Sequence, residues 1–307
     1  MAETRTPDRV WLDGKLVGMD EARFPLLTHS LHYGLGVFEG IRCYRCEDGR
    51  SAVFRLREHV HRLFESAHIC LMDMPFPEAE VVEACLAVLR ENGMAEGYVR
   101  PIAFLGDGAM GVGSVNPTRV AVAAWYWAAY LGEEGIKRGI RTKISSLTRM
   151  TANGAMVRGK ITGQYVNSIL AKREALLGGY DEAILLDQNG LVAEGSGENI
   201  FMVSGGTLCT PPLTSPILAG VTRDTVLRLA RDRGYPVEER TFTRDSLYTA
   251  DEAFFSGTAA EITPIREVDN RRIGDGRPGP ITRALQDLFF RVTRAREPRY
   301  HEWLTFR

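Results

Sequence analysis

Lysine is scarce in this chain. Of 38 basic side chains only five are lysine, at positions 15, 137, 143, 160 and 172, which leaves 38 − 5 = 33 arginines. A surface built this way has no general need of lysine, so each one calls for a reason. Surplus charge is also missing. Thirty-eight basic against 39 acidic groups give a net charge of −1, without the basic excess that draws nucleic acid or an anionic membrane. The longest apolar run, Val120–Leu131, has twelve residues, short of the roughly 20 that span a bilayer. The opening MAETRTPDRVW has no apolar segment of the secretory kind, so a cytoplasmic protein is expected. The five cysteines, at 43, 46, 70, 85 and 209, are odd in number and scattered, which argues against a disulfide framework. Cys43 and Cys46 form a CxxC with no second pair to complete a zinc site, and read as two thiols at a strand end. The histidines lack metal-ligand spacing, and His59 and His61 read as surface or packing residues. No metal is expected, and no repeat, low-complexity tract or heptad is evident.

What is present is ordinary globular material. A length of 307 residues suggests two domains or one large one, and 44% apolar with 25% charged residues argues against a disordered chain. Asp13-Gly14 predicts the turn of a hairpin over residues 9–17. Strands are expected at 40–45 and 51–56, and helices from Glu58 to Leu71, with Val60, Leu63, Phe64 and Ala67 on one face, and from Pro77 to Asn92-Gly93. Strands over Tyr98–Leu105 and Arg119–Trp127 flank a glycine-rich loop, Gly106–Ser114, which is either a loose connection or a binding lid. The second half reads as strand-rich, with a hairpin turning at Asn189-Gly190, strands near 199–203, 237–243 and 252–256, a helix from Thr222 and a last helix over 280–294. The order favours a mixed αβ (α+β) chain of two domains: a smaller N-terminal one at 1–127, a linker at 128–139 and a larger strand-rich one at 140–307. The order is not the regular alternation of a doubly wound sheet.

Several residues could carry chemistry, each with a plainer alternative. Lys160 lies between glycines and apolar residues, where an amine is poorly solvated as an ammonium and becomes nucleophilic toward carbonyls. Arg158 would share its face if this segment is a strand. The alternative is a solvated surface lysine. Glu194 and Glu198, with glycines between them, suggest close approach of backbone to a ligand, or a polar turn. Gly220-Val-Thr-Arg-Asp224 offers a helix N-terminus as a phosphate seat, or a plain cap. Arg62 sits among apolar neighbours and needs a carboxylate or phosphate if buried, or it snorkels. Ser256-Gly-Thr-Ala-Ala-Glu261 is a second phosphate contact or a simple turn. Gly34-Leu-Gly-Val-Phe-Glu-Gly40 has its third glycine one place too late for a dinucleotide fingerprint and no apolar strand before it. Amine, carboxylate and phosphate seat together are what pyridoxal phosphate requires.

With these residues the chain resembles the branched-chain amino acid aminotransferases of class IV (fold type IV). The resemblance is carried by His32-Tyr-Gly-Leu-Gly-Val-Phe-Glu-Gly-Ile-Arg42, Glu58-His-Val-His-Arg-Leu63, Lys160-Ile-Thr-Gly-Gln-Tyr-Val-Asn167, Glu194-Gly-Ser-Gly-Glu-Asn199, Gly220–Asp224 and Ser256–Pro264, over about residues 11–290. It implies a pyridoxal 5′-phosphate enzyme moving the amino group of L-leucine, L-isoleucine or L-valine to 2-oxoglutarate and back, by a Schiff base on Lys160. Such a step ends branched-chain amino acid synthesis or begins degradation. By the resemblance, Lys160 would hold the cofactor and shuttle a proton, Glu194 would meet the pyridine nitrogen and Tyr165 the phenolic oxygen. Arg62, Val221, Thr222 and Thr258 would hold the phosphate. Thr258, Ala259 and Tyr98 would receive the substrate α-carboxylate. Tyr33, Phe38, Trp127 and Tyr130 would line the side-chain pocket, Arg100 would meet a distal carboxylate, and Arg42 would join the substrate site. The Gly106–Ser114 loop would reach a neighbouring subunit, implying a dimer or a dimer-based hexamer. A D-amino acid aminotransferase or an aminodeoxychorismate lyase would keep the same core residues. A cofactor-free Schiff-base aldolase, or a binding protein on the same fold, would leave Arg62 and Thr222 idle.

Overall fold

Asp13 and Gly14, at φ 45° and 90°, turn the chain between β1 (Arg9–Leu12) and β2 (Lys15–Gly18) in the computed structural model, which describes residues 7–127 and 130–307. Positive φ at both central positions is the condition for the two-residue hairpin expected there. The described chain divides into two units: residues up to 127 with 159–163 and 292–307, and residues 130–158 with 164–291. Of the segment expected as a linker, residues 128 and 129 lie outside the described residues, as do residues 1–6 of the opening segment read for a leader. The rest of the expected linker includes a short helix, Glu133–Arg138.

The first unit is an antiparallel sheet backed by helices. After α1 (His29–Tyr33) come β3 (Gly36–Phe38), β4 (Ile41–Arg45) and β5 (Ser51–Phe54). Helices α2 (Leu56–Ile69) and α3 (Glu78–Glu91) follow, then β6 (Gly97–Leu105) and β7 (Thr118–Trp125). The sheet order is C-terminal strand Leu304–Phe306, β5, β4, β6, β7, β1, β2, with β3 also on β6. Alternation along β6 sends Val99 and Ala103 into a core with Val60, Leu63, Val81 and Leu89 of the two helices. Each such aliphatic contributes about 1.5–3 kcal/mol by leaving water. Residues 98, 100 and 102 take the other face. β3 and β4 both pair with β6, and the break between them falls at Glu39-Gly40, opposite Pro101, which has no N–H for a ladder. Glu39 N donates to Pro101 O at 2.9 Å, and the Glu39 side chain turns toward α2.

The second unit is strand-rich as expected. It contains α4 (Glu133–Arg138), β8 (Ile140–Ile144), α5 (Ala152–Ala155), α6 (Tyr165–Leu177), β9 (Glu182–Leu186), β10 (Val192–Gly195), β11 (Asn199–Ser204) and β12 (Thr207–Thr210). Then come α7 (Val221–Asp232), β13 (Val237–Glu239), α8 (Arg244–Tyr248), β14 (Glu252–Gly257), β15 (Glu261–Val268), β16 (Arg271–Arg272) and α9 (Pro280–Thr293), which runs on into the first unit. The strand order is β10, β9, β8, β15, β14, β11, β12, β13, and an added β10–β11 pairing closes six strands on themselves. That closure leaves the ring without free edges. The pairing that closes it is Glu194 opposite Asn199.

Candidate active site

The first unit gathers a wall of aromatic and guanidinium groups on one face of its sheet. On β6, Tyr98 and Arg100 are two apart and share that face. Arg42 on β4 and Trp125 on β7 stand directly opposite Tyr98. The Tyr98 ring packs on Trp125 and Trp127 at 5.3 and 4.7 Å, and its hydroxyl comes so close to Gly40 that a Cβ there would overlap it. Arg42 Nη2 donates to Trp127 O at 3.1 Å. The Arg100 guanidinium lies 4.6 Å from the Phe38 ring centroid and near the Tyr98 and Trp125 rings. Lys160 Nζ lies 5.1 Å from the same Phe38 ring. Phe38 therefore has both an amine and a guanidinium within reach of its ring, an arrangement its quadrupole favours.

Lys160 is held by its main chain. Its N–H donates to Ser66 Oγ at 3.0 Å and its carbonyl accepts from Phe38 N at 3.1 Å. It follows a turn and is not in a strand, and Arg158 is exposed in that turn. The condition under which Arg158 would share the lysine's face, a strand here, is not met: residues 157–159 form a turn that follows Met156 at φ 49°. Arg62 on α2 is buried and finds a carboxylate, Glu39, through Nε and Nη2 at 2.6 and 2.9 Å. His59 is buried beside them, its Nδ1 on Glu39 Oε2 at 2.7 Å. Tyr33 is the last residue of α1, exposed, its ring against His29 at 4.6 Å.

The second unit holds the other group of expected residues. Glu194 Oε1 accepts from buried Arg149 Nε at 2.7 Å, and Oε2 accepts from Asn199 Nδ2 at 3.2 Å and Leu218 N at 3.0 Å. Asn199 also donates to Leu218 O at 2.9 Å, and a Cβ on Gly220 would overlap its Oδ1. One side chain thereby joins Glu194 to the entry of α7. Val221 and Thr222, both buried, are the first residues of that helix, where backbone N–H groups have no partner within the helix. Thr258 and Ala259 lie in the turn from β14 to β15, and Tyr165 opens α6.

Glu198, four residues past Glu194, is differently placed. Burial, with the Glu182 carboxylate as a further push, raises its carboxyl to about 8. Glu182 itself is bonded to Lys172 Nζ at 2.6 Å. Tyr130 lies in the same unit, beside these groups. It lies 5.1 Å from Lys172 Nζ and bonds Ser196, and burial, helped by Glu198 and Glu182, raises its phenol.

The family described as amino-transferase class IV matches residues 36–268. The chain belongs to the branched-chain amino acid aminotransferases of that class. It is 49% identical over 297 residues to the Pseudomonas aeruginosa branched-chain-amino-acid aminotransferase, covering 96% of each chain. The Escherichia coli branched-chain amino acid aminotransferase crystal structure superposes with a TM-score of 0.95 at 44% identity, over 97% of this chain and 98% of that one. The branched-chain amino acid aminotransferase from the thermophilic archaeon Thermoproteus uzoniensis, solved with norvaline, gives 0.93 at 44%, over 97% of this chain and 98% of that one. A further solved branched-chain aminotransferase, complexed with N-(5′-phosphopyridoxyl)-L-glutamate, gives 0.93 at 44%, over 99% of each. The two-unit α+β architecture is that of the fold type IV aminotransferases, as the sequence suggests. Sequence reasoning did not single out Glu39, Ser66, Arg149 or Asn199. Two of these, Glu39 and Asn199, lie inside the quoted motifs, where they could have been asked what they hold. Arg149 is one of 33 arginines, 38 basic residues less five lysines, and gives no signal of its own.

Proposed function

We propose that the protein transfers the amino group of L-leucine, L-isoleucine or L-valine to 2-oxoglutarate, and back, with pyridoxal 5′-phosphate bound at Lys160. The observation that carries the reading is the Phe38 ring with the Lys160 amine at 5.1 Å and the Arg100 guanidinium at 4.6 Å from its centroid. A branched aliphatic side chain needs an apolar wall and glutamate needs a cation beyond it, and β3 and β6 provide both.

The residues suit this cofactor. Ser256 Oγ and Arg149 Nη1 are buried polar atoms without a hydrogen-bond partner. The open N–H groups at the start of α7 suit a phosphate, and buried Glu194, with a guanidinium and two amide donors on it, suits a ring N–H. Bound pyridoxal phosphate supplies an aldehyde that takes up an amine and a protonated ring that withdraws electrons from the carbon losing its proton. Arg62, Thr258 and the amides of Val221 and Thr222 would hold the phosphate. Glu194 would keep the ring nitrogen protonated and Tyr165 would donate to the phenolic oxygen. Lys160, its backbone fixed by Ser66 and Phe38, would move the proton between substrate Cα and cofactor C4′. Tyr98 and the Thr258 and Ala259 amides would receive the α-carboxylate. Tyr33, Phe38, Trp127 and Tyr130 would line the side-chain pocket, Arg100 would meet a distal carboxylate and Arg42 would join the substrate site.

Action as a homodimer or a dimer-based hexamer is part of the proposal. It is supported by exposed Leu26, Leu31, Val112 and Val115, on segments that His29 Nε2 ties together at Gly111 O. A cytoplasmic site is supported by five free thiols. A donor panel tests the activity. Yellow protein bleached by L-glutamate and active with L-leucine is the expected result, and activity with D-alanine but none with L-leucine would overturn it.

A further inference from the structure

Three side chains on one face of α2, at positions 59, 62 and 66, are buried and turned to the same task. Ser66 Oγ donates to Arg62 O at 2.8 Å and accepts from Lys160 N. Arg62 and His59 both meet Glu39, a wholly buried carboxylate. That carboxylate collects four donors: Arg62 Nε on Oε1, and Arg62 Nη2, His59 Nδ1 and Gly40 N on Oε2. Burial opposes its charge, but Arg62 and His59 more than offset this and hold it ionised, well below the usual range. Burial in turn lowers the pKa of His59.

Two effects of Glu39 on an incoming phosphate oppose each other. Its negative charge weakens the pull of Arg62, by about 1 kcal/mol at 4 Å in water and about 4 at an intermediate dielectric. Its two-oxygen grip fixes the guanidinium plane, which is what a bidentate donor needs in order to act without further ordering. A residue kept only for positive charge would not be given a buried counterion, because such a pair is costly to bury. Gly40 and the break at Pro101 are the local devices that bring the carboxylate there.

We propose that Glu39 is a positioning residue for cofactor binding: its carboxylate sets the orientation in which Arg62 receives the phosphate of pyridoxal phosphate. This rests on the cofactor reading above. The test measures dissociation constants of the apoenzyme for pyridoxal phosphate and for pyridoxal, which lacks the phosphate, by quenching of tryptophan fluorescence. Wild type is expected to prefer the phosphorylated form. Glu39→Gln removes the charge and half the grip, and is expected to lose about tenfold or more of that preference, the usual effect of removing a partner that orients a binding group. Its affinity for pyridoxal should stay within about twofold. Arg62→Lys keeps the charge and Glu39 but cannot form the two-pronged bond. It should lose the preference likewise, so the proposal stays testable even if Glu39→Gln does not fold. In an Arg62→Ala background, Glu39→Gln should have no further effect. Unchanged or tighter pyridoxal phosphate binding by Glu39→Gln, equal weakening toward both ligands, or retained preference in Arg62→Lys would overturn the positioning role alone. Absence of any phosphate preference in wild type would overturn the cofactor reading itself.

Discussion

In each unit of this protein a buried arginine meets a buried glutamate, Arg62 with Glu39 and Arg149 with Glu194, and the two pairs are built in opposite senses. In the first unit Glu39 is wholly enclosed and grips Arg62 through both oxygens. In the second, Arg149 reaches Glu194 through Nε, while Asn199 and Leu218 N take the other oxygen, and Arg149 Nη1 is left buried without a partner. Buried ion pairs are poor stabilisers compared with well-packed apolar groups. Two of them in one chain are better understood as orienting devices, the carboxylate serving the arginine in one and the arginine serving the carboxylate in the other. Glu198, four residues from Glu194, has no guanidinium among the groups that act on it, and burial pushes its carboxyl up.

The largest effect that could break this comparison concerns Lys160, which belongs to neither pair and is held by its backbone. Lys160→Ala leaves the Ser66 and Phe38 bonds in place, so the melting temperature should move little. Transfer should fall about a thousandfold or more, as for other removals of a covalent-catalysis residue. Activity within about tenfold of wild type, measured at steady state, would place the chemistry elsewhere.

Next comes the pair in the second unit. Arg149→Met leaves Glu194 a buried charge without its cation, expected to cost about 3–5 kcal/mol in urea unfolding of the apoenzyme. The double variant Arg149→Met/Glu194→Gln should recover most of that loss while failing in transfer. If the double variant is as unstable as the single one, Arg149 acts by packing and the comparison fails.

The smallest effect is in pH dependence. Glu198 ionises near 4.5 when unfolded and near 8 when folded. Between those values the folded state binds more protons, so its stability falls as pH rises. Glu198→Gln mimics the protonated form and escapes this fall. Its stability relative to wild type should grow from pH 5 to pH 8 and level off above, read by apoenzyme unfolding at several pH values. A difference that stays constant across that window would show that Glu198 is already ionised.

Local signals in the sequence reached a good part of this. The Asp13-Gly14 turn, the Val60–Leu63–Ala67 stripe of α2 and the start of α7 follow from turn chemistry and helical period. Lysine scarcity brought Lys160 forward. What was not legible depends on long-range pairing. Nothing periodic announces that β10 and β11 close a ring at Glu194 and Asn199, or that the break at Glu39-Gly40 aims a carboxylate at α2. The segment in which a strand would have put Arg158 on the lysine's face is a turn. Nor does spacing place Tyr130 beside Lys172 and Ser196. Such groupings are set by which strands meet, and the sequence alone does not state that.

The central claim is that one scarce lysine forms the covalent bond to the cofactor. Holoenzyme reduced with borohydride, digested and mapped by mass spectrometry tests it directly. A phosphopyridoxyl group on Lys160 is the predicted result, and attachment at Lys143, Lys172 or any other residue, or at none, would contradict it.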